Sequence, residues 1–197
     1  MAATAIQEKA YAPTMIVEKQ KTVSWRDFEK KYLTREDNFK YEWVNGLIEK
    51  TPRTMNRDQS LIIQRLQRLF ATTQAYRKMD ELISELDMFL PTAKRSRRAD
   101  FGYLTAQQVA ASVAGDMSPS AFVVEIISKN DQINEVDKKL IEYFDNGVEV
   151  VWLIFPTLKK VEVHRSLRDV SVYFEGDVCS ASPVLPDFEI TVNALLS

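Results

Sequence analysis

A mixed α/β fold, one β-sheet covered by helices, is predicted by three features of the sequence. Two apolar runs, Ala121–Ile127 and Val148–Phe155, are β-branched and aromatic with little alternation, the pattern of strands buried on both faces. Between them lies a helical stretch, Glu135–Phe144, and a crossover of about twenty residues makes the two strands parallel and right-handedly linked. Tyr41–Val44 and Leu47–Lys50 flank Asn45-Gly46, the dipeptide that most readily supplies positive φ at both centres of a tight turn, so a β-hairpin precedes them.

The remaining elements follow in order. Residues 1–21 carry no period and are expected to form a flexible N-terminal arm, with 22–197 as a single domain. Ser24 is an N-cap with Asp27 three residues on, and Phe28, Tyr32 and Leu33 follow at helical spacing. From about Asn56 to Met79, Leu61, Ile62, Leu66, Leu69, Phe70 and Thr73 recur at three and four, which predicts one long amphipathic helix. Glu81–Leu90 has the length of a strand and is bounded by Pro91. A basic turn, Lys94–Arg98, is expected to lead into a second strand through Asp100 to Leu104. Ala106–Ala114 reads as a helix ended by Gly115. Lys160–Arg165 and Ser171–Glu175 alternate and are expected to be outer strands, and the apolar tail Phe188–Leu196 is expected to close the core.

Composition excludes several classes. No apolar run approaches the roughly 18 residues that span a bilayer, and no signal peptide is visible. The single cysteine, Cys179, forms neither an internal disulfide nor a thiolate zinc cluster, and the expected compartment is the cytoplasm. Five unclustered glycines build no phosphate loop. A net charge of −2 argues against coating nucleic acid by charge alone, though not against local basic residues. The only histidine, His164, has no acid, serine or cysteine at triad spacing and reads as a surface or hairpin residue. Cys179 reads as packing, and Trp25, Trp43 and Trp152 as core or rim.

Glu125 is the residue that demands chemistry. A carboxylate between Val124 and Ile126 in a buried strand costs several kcal/mol unless a cation or a proton neutralises it. Its candidate companions are Asp100, beside the basic cluster, and Lys139 on the following helix. At about 100° per residue from Val136, Leu140 and Tyr143 define the buried arc, Lys139 falls at roughly −60° on its border, and Lys138 points to solvent. Benign readings stand beside these: Asp100 as a turn or cap residue, Lys139 as an edge lysine reaching to water, Glu125 facing an arginine.

Tyr41-Glu42-x-x-x-Gly46, Arg98-x-Asp100, Val124-Glu125-Ile126-Ile127-Ser128, Lys139-Leu140-x-x-Tyr143 and Gly147-Val148-x-x-Val151-Trp152-Leu153-Ile154 occur in that order. Together they resemble the bacterial putative restriction endonuclease family of the PD-(D/E)xK nuclease superfamily. The resemblance implies a restriction endonuclease-like mixed β-sheet flanked by helices, with Mg²⁺ (or Mn²⁺) as cofactor and DNA as substrate. It assigns Asp100 and Glu125 as metal-binding acids, Lys139 as the catalytic lysine moved from strand to helix, and Glu42 as an N-terminal acid of the site. Arg95, Arg97 and Arg98 would hold the DNA backbone, which confers no sequence choice. Superfamily members pair so that two sites address both strands, which implies a homodimer.

The chain departs from the family pattern in three places. Ile127 stands where the strand's own lysine would be, Ala99 where a proline precedes the aspartate, and Asp58-Gln59 where a histidine is common. A catalytically inactive nuclease fold acting as a DNA- or protein-binding module is therefore the alternative to a Mg²⁺-dependent endonuclease.

Overall fold

The computed structural model describes residues 22–52, 57–129 and 131–197, so the expected arm at 1–21 lies outside the described residues. Ser24 accepts a hydrogen bond from the Asp27 amide at 3.1 Å and donates to its carboxylate at 2.8 Å. It thereby starts α1 (Trp25–Phe28), which continues as a wider helical turn over Glu29–Leu33. The hairpin is β1 (Phe39–Val44) and β2 (Leu47–Pro52), closed at Val44 and Leu47 with φ of 50° at Asn45 and 88° at Gly46. Both central residues are left-handed, as a two-residue hairpin requires.

The long helix expected from Asn56 to Met79 is two helices, α2 (Arg57–Phe70) and α3 (Gln74–Arg77). Two threonines break it: the Thr72 and Thr73 hydroxyls donate to the Leu69 and Phe70 carbonyls at 2.7 Å, and Thr73 then caps α3. Short hydroxyl side chains offer the backbone this alternative to a continuing helix. A second correction concerns the basic run. The turn is short and ends at Lys94 (φ 49°), so that β3 (Glu81–Leu90) is followed by β4 (Arg95–Leu104) and the three arginines belong to a strand. Next comes α4 (Ala106–Val113), opened by a reciprocal cap between Thr105 and Gln108. After it, β5 (Phe122–Ile126), α5 (Ile133–Asp145) and β6 (Val150–Phe155) form the expected parallel unit, with Phe122 opposite Val150 and Ile126 opposite Ile154. The chain closes with β7 (Lys160–His164), β8 (Val170–Phe174), a separate pair β9 (Val178–Ala181) and β10 (Leu185–Thr191), and α6 (Val192–Leu196).

The main sheet runs β2-β1-β4-β5-β6-β7-β8, with β3 along the other edge of β4. Of the two strands expected at the outside, only β8 is at an edge; β7 lies inside the sheet with Val161 and Val163 fully buried. Alternation reports that one face is covered and is silent about lateral position. His164, expected at the surface, is likewise 7% exposed, flanked in the sheet by Val151 and Val170.

The sheet forks at β4. Since β3 occupies one edge for its whole length, β1 and β5 share the other: β1 pairs at Arg95 and Ser96, β5 at Phe101 and Gly102. Residues 97–100 lie between, in the crotch of the fork. Opposite this point Glu85 takes φ of 52°, and an added methyl on Gly102 would overlap the Leu86 side chain.

Each face of the sheet has its own core. Ile62, Leu66 and Phe70 of α2, with Phe188, Val192 and Leu195 from the tail, pack on Phe122, Val124, Val150 and Trp152. On the other face α5 lays Val136, Leu140 and Tyr143 over Val123, Val151 and Leu153. Phe188 joins the tail to the first core through ring contacts with Phe122 (5.6 Å) and Trp152 (5.5 Å). Phe188→Ala should therefore lower unfolding free energy by about 3–5 kcal/mol in a urea titration.

Candidate active site

The crotch of the fork gathers ionisable groups because one amide of β4 and one of β5 have no main-chain acceptor there. On the β1 side, the Arg98 amide donates to Glu42 Oε1 at 3.1 Å. On the β5 side, the Ile126 amide donates to Asp100 Oδ2 at 2.7 Å. Carboxylates thus stand in for the main-chain acceptors that a continuous sheet would supply.

Asp100 and Glu125 lie on the adjacent strands β4 and β5. Continuing the register of Phe101 with Val124 sets them opposite one another across β4 and β5. Burial raises the Asp100 carboxyl to about 6, and the neighbouring Glu125 charge adds to the rise, against lowering by Lys40, the Ile126 amide and Lys139. Lys139 also reaches the site: its Nζ lies 3.4 Å from both oxygens of Glu125. Burial alone would lower the pKa of this amine, but the charges of Glu125, Glu42 and Asp100 override it and hold the ammonium above its ordinary value. The helix-wheel position of Lys139 at the border of the buried arc is what lets a side chain from α5 reach the sheet.

Tyr143, one turn along α5, donates to Glu125 Oε1 at 2.5 Å, which orients the carboxylate. Sequence reading placed Tyr143 in the buried arc without that role; the signal was a hydroxyl facing a strand that carries a buried acid. Glu142 is the second residue missed. It falls outside the apolar arc, yet it is 8% exposed because Arg95 (2.5 Å) and Arg97 (2.8 Å) meet it from β4.

The arginine cluster is the main correction. Arg97 is 2% exposed and surrounded by acids, with Nη1 2.7 Å from Glu42 and 3.2 Å from Glu49 and Nε 2.8 Å from Glu142. Arg98 faces the other way and grips Asp87 with two bonds of 2.7 Å. Arg95 is committed to Glu142. None of Arg95, Arg97 and Arg98 presents a free guanidinium to a DNA backbone; strand alternation drives Arg97 inward, where only paired charge is tolerated.

Glu42 is 7% exposed. Its Oε2 accepts from Arg97 and its Oε1 from the Arg98 amide, so both oxygens are engaged. Burial would raise its pKa, but Lys139, Lys40, Arg97 and the Arg98 amide together bring it down to about 2. It is a permanent negative charge at the back of the site, and its observed contacts position Arg97 and the β4 backbone.

Among the described residues no three His, Cys, Asp or Glu side chains converge as a metal cluster. The donor set still suits one hard cation. Two carboxylates stand on adjacent strands, the pKa of Asp100 being raised first by burial and then by the Glu125 charge, and Asp100 Oδ1 has no donor among the described residues. Magnesium needs no more than one or two carboxylates beside water and substrate oxygens.

Comparison with known proteins matches residues 25–193 to the Uma2 family, described as "Putative restriction endonuclease". The fold is similar to the crystal structure of a "putative nuclease belonging to DUF820" from Anabaena variabilis, with TM-score 0.71 and 18% identity over 88% of this chain and 97% of that one. No curated protein matches.

Two outcomes follow from the electrostatics. Arg97→Met removes the guanidinium that Glu42, Glu49 and Glu142 share in a buried setting and should cost about 3–5 kcal/mol in a urea titration. Asp100 has a folded-state pKa of about 6 against an ordinary 3.8, so the folded chain binds the proton more tightly and stability declines as pH rises between those values. Asp100→Asn keeps an acceptor for Ile126 and removes that decline. Its thermal midpoint should exceed that of the wild type above about pH 6 and match it below about pH 4, measured in metal-free buffer.

Proposed function

The chain belongs to the Uma2 family of restriction-endonuclease-like proteins, and from that premise we propose that it is a Mg²⁺-dependent endonuclease hydrolysing phosphodiester bonds of DNA. The observation that carries this reading is the meeting of Asp100 and Glu125 at the fork with Lys139 3.4 Å from Glu125. Asp100 and Glu125, with a main-chain carbonyl beside Glu125, would hold the ion. A bound Mg²⁺, or Mn²⁺, supplies Lewis acidity toward the phosphate and lowers the pKa of water.

The protein's own groups divide the remaining work. Tyr143 holds Glu125 in one orientation through its 2.5 Å bond, and the Ile126 amide does the same for Asp100. Lys139, kept charged by three acids, serves as a fixed positive charge against the negative charge that grows on the phosphate during attack. Its raised pKa makes it a poor proton acceptor. That role replaces the strand lysine missing at Ile127.

We also propose that two copies act together, as a double-strand substrate invites. Support comes from β8, one edge of the main sheet. Arg165 donates to the Asp169 carbonyl, which sets the phase of the β7–β8 ladder and turns the main-chain groups of Val170 and Val172 outward. Their side chains and Phe174 are 41%, 46% and 48% exposed, an apolar edge of the kind that proteins usually cover.

The reading is tested by incubating plasmid with Mg²⁺ or Mn²⁺, with and without EDTA. Nicking should require the metal, vanish in Asp100→Ala and Glu125→Ala, and fall at least about 100-fold in Lys139→Ala. Unchanged cutting by either acid variant would sink it. Duplex binding without cleavage in any metal would favour the inactive-module alternative. Val172→Lys should convert a dimer to a monomer by light scattering; a wild-type monomer would dismiss the pairing.

A further inference from the structure

With Arg95, Arg97 and Arg98 consumed by acids, a different cation must meet the substrate's backbone. We propose that Lys40 of β1 takes a phosphate of the bound strand beside the acid pair, an inference that rests on the nuclease reading above.

Position is the first argument. β1 pairs with β4 through Trp43 and Ser96, then diverges from it; carried on, that register sets Lys40 level with Ala99, next to Asp100. Lys40 and Glu42 are two apart on one strand and so share a face, the one on which Glu42 meets Arg97. Lys40 therefore stands on the β1 arm of the fork, across the crotch from the arm bearing Glu125. Lys40 and Lys139 both lie near enough to Asp100 for their charges to act on it.

The second argument is its lack of commitment. Its Nζ lies 3.8 Å from Glu42 Oε1, beyond hydrogen-bonding distance, and that oxygen already accepts from the Arg98 amide. No described residue accepts a hydrogen bond from Lys40. Other lysines are engaged more closely: Lys138 lies 2.6 Å from Glu135, Lys160 2.6 Å from Glu162, and Lys50 sits over the Phe39 ring at 3.6 Å. The Lys40 side chain is only 20% exposed, so it has surrendered much of its hydration without gaining a strong acceptor. A partly desolvated ammonium in that condition favours an anion, and a phosphodiester oxygen is the anion this site is shaped to receive. Lysine suits the task because a compact charge on a flexible stem tolerates the shift of the phosphate during reaction.

The test measures binding of a fluorescently labelled DNA duplex to the full chain in EDTA, over a series of salt concentrations, together with steady-state cleavage in Mg²⁺. Lys40→Gln should weaken binding about tenfold and reduce the slope of log Kd against log salt by about one. In cleavage the loss should fall mainly on KM. Lys40→Arg should restore most of the affinity, and Lys138→Gln, on the solvent face of α5, should match the wild type. Amine acylation of the wild-type protein followed by mass spectrometry gives a readout that needs no variant: bound duplex should protect Lys40 and leave Lys138 reactive. Wild-type affinity and salt slope in Lys40→Gln, or equal acylation of Lys40 with and without duplex, overturns the assignment while leaving the nuclease reading standing. A wild-type chain that neither binds duplex nor cleaves it in Mg²⁺ overturns both.

Discussion

Four residues of β4, 97 to 100, lie between two strands that pair with the same edge, and the hydrogen bonds missing there organise the chemistry of this protein. A sheet that splits leaves amides without main-chain acceptors, and buried amides need partners. Glu42 answers for the Arg98 amide and Asp100 for that of Ile126. Filling those places with carboxylates concentrates negative charge in a half-dry crevice, and the rest of the site compensates for that charge.

The compensation differs on the two arms. Beside β1, Arg97 is clamped by Glu42, Glu49 and Glu142, with Arg95 also on Glu142, and the strands are tied to α5. Such a cluster contributes little net stability, because desolvating the ions offsets their attraction, but removing one member exposes the others to the full cost. Beside β5, compensation is incomplete. Lys139 approaches Glu125 no nearer than 3.4 Å, and Asp100 keeps a raised pKa. One arm of the fork is closed by the protein's own cations, and on the other Asp100 Oδ1 has no donor among the described residues.

This division also explains why the site sits on rigid elements. Glu125 is carried by a strand buried on both faces, and Lys139 and Tyr143 by a helix whose apolar stripe is packed on that strand and its neighbour. Tyr143 belongs to the core through its ring and to the site through its hydroxyl, so the packing that stabilises the fold also aims the carboxylate.

Local residue pattern determined much of the fold. The Asn45-Gly46 hairpin, the Ser24 cap, the parallel pair around α5 and the isolation of Glu125 depend on turn chemistry, periodicity and the cost of a bare charge, all of which act within a few residues. That same locality let Lys139 be separated from Lys138. Tertiary structure alone decided where the arginines went, because a run of basic residues reads the same whether it faces water or the acids of a distant helix. It also decided that β7 would lie inside the sheet, and that Glu142 would be buried despite its place on the wheel. Each of these depends on which element arrives from elsewhere in the chain. The energy of a buried ion pair belongs to both partners, so no stretch of sequence holding only one of them can reveal it.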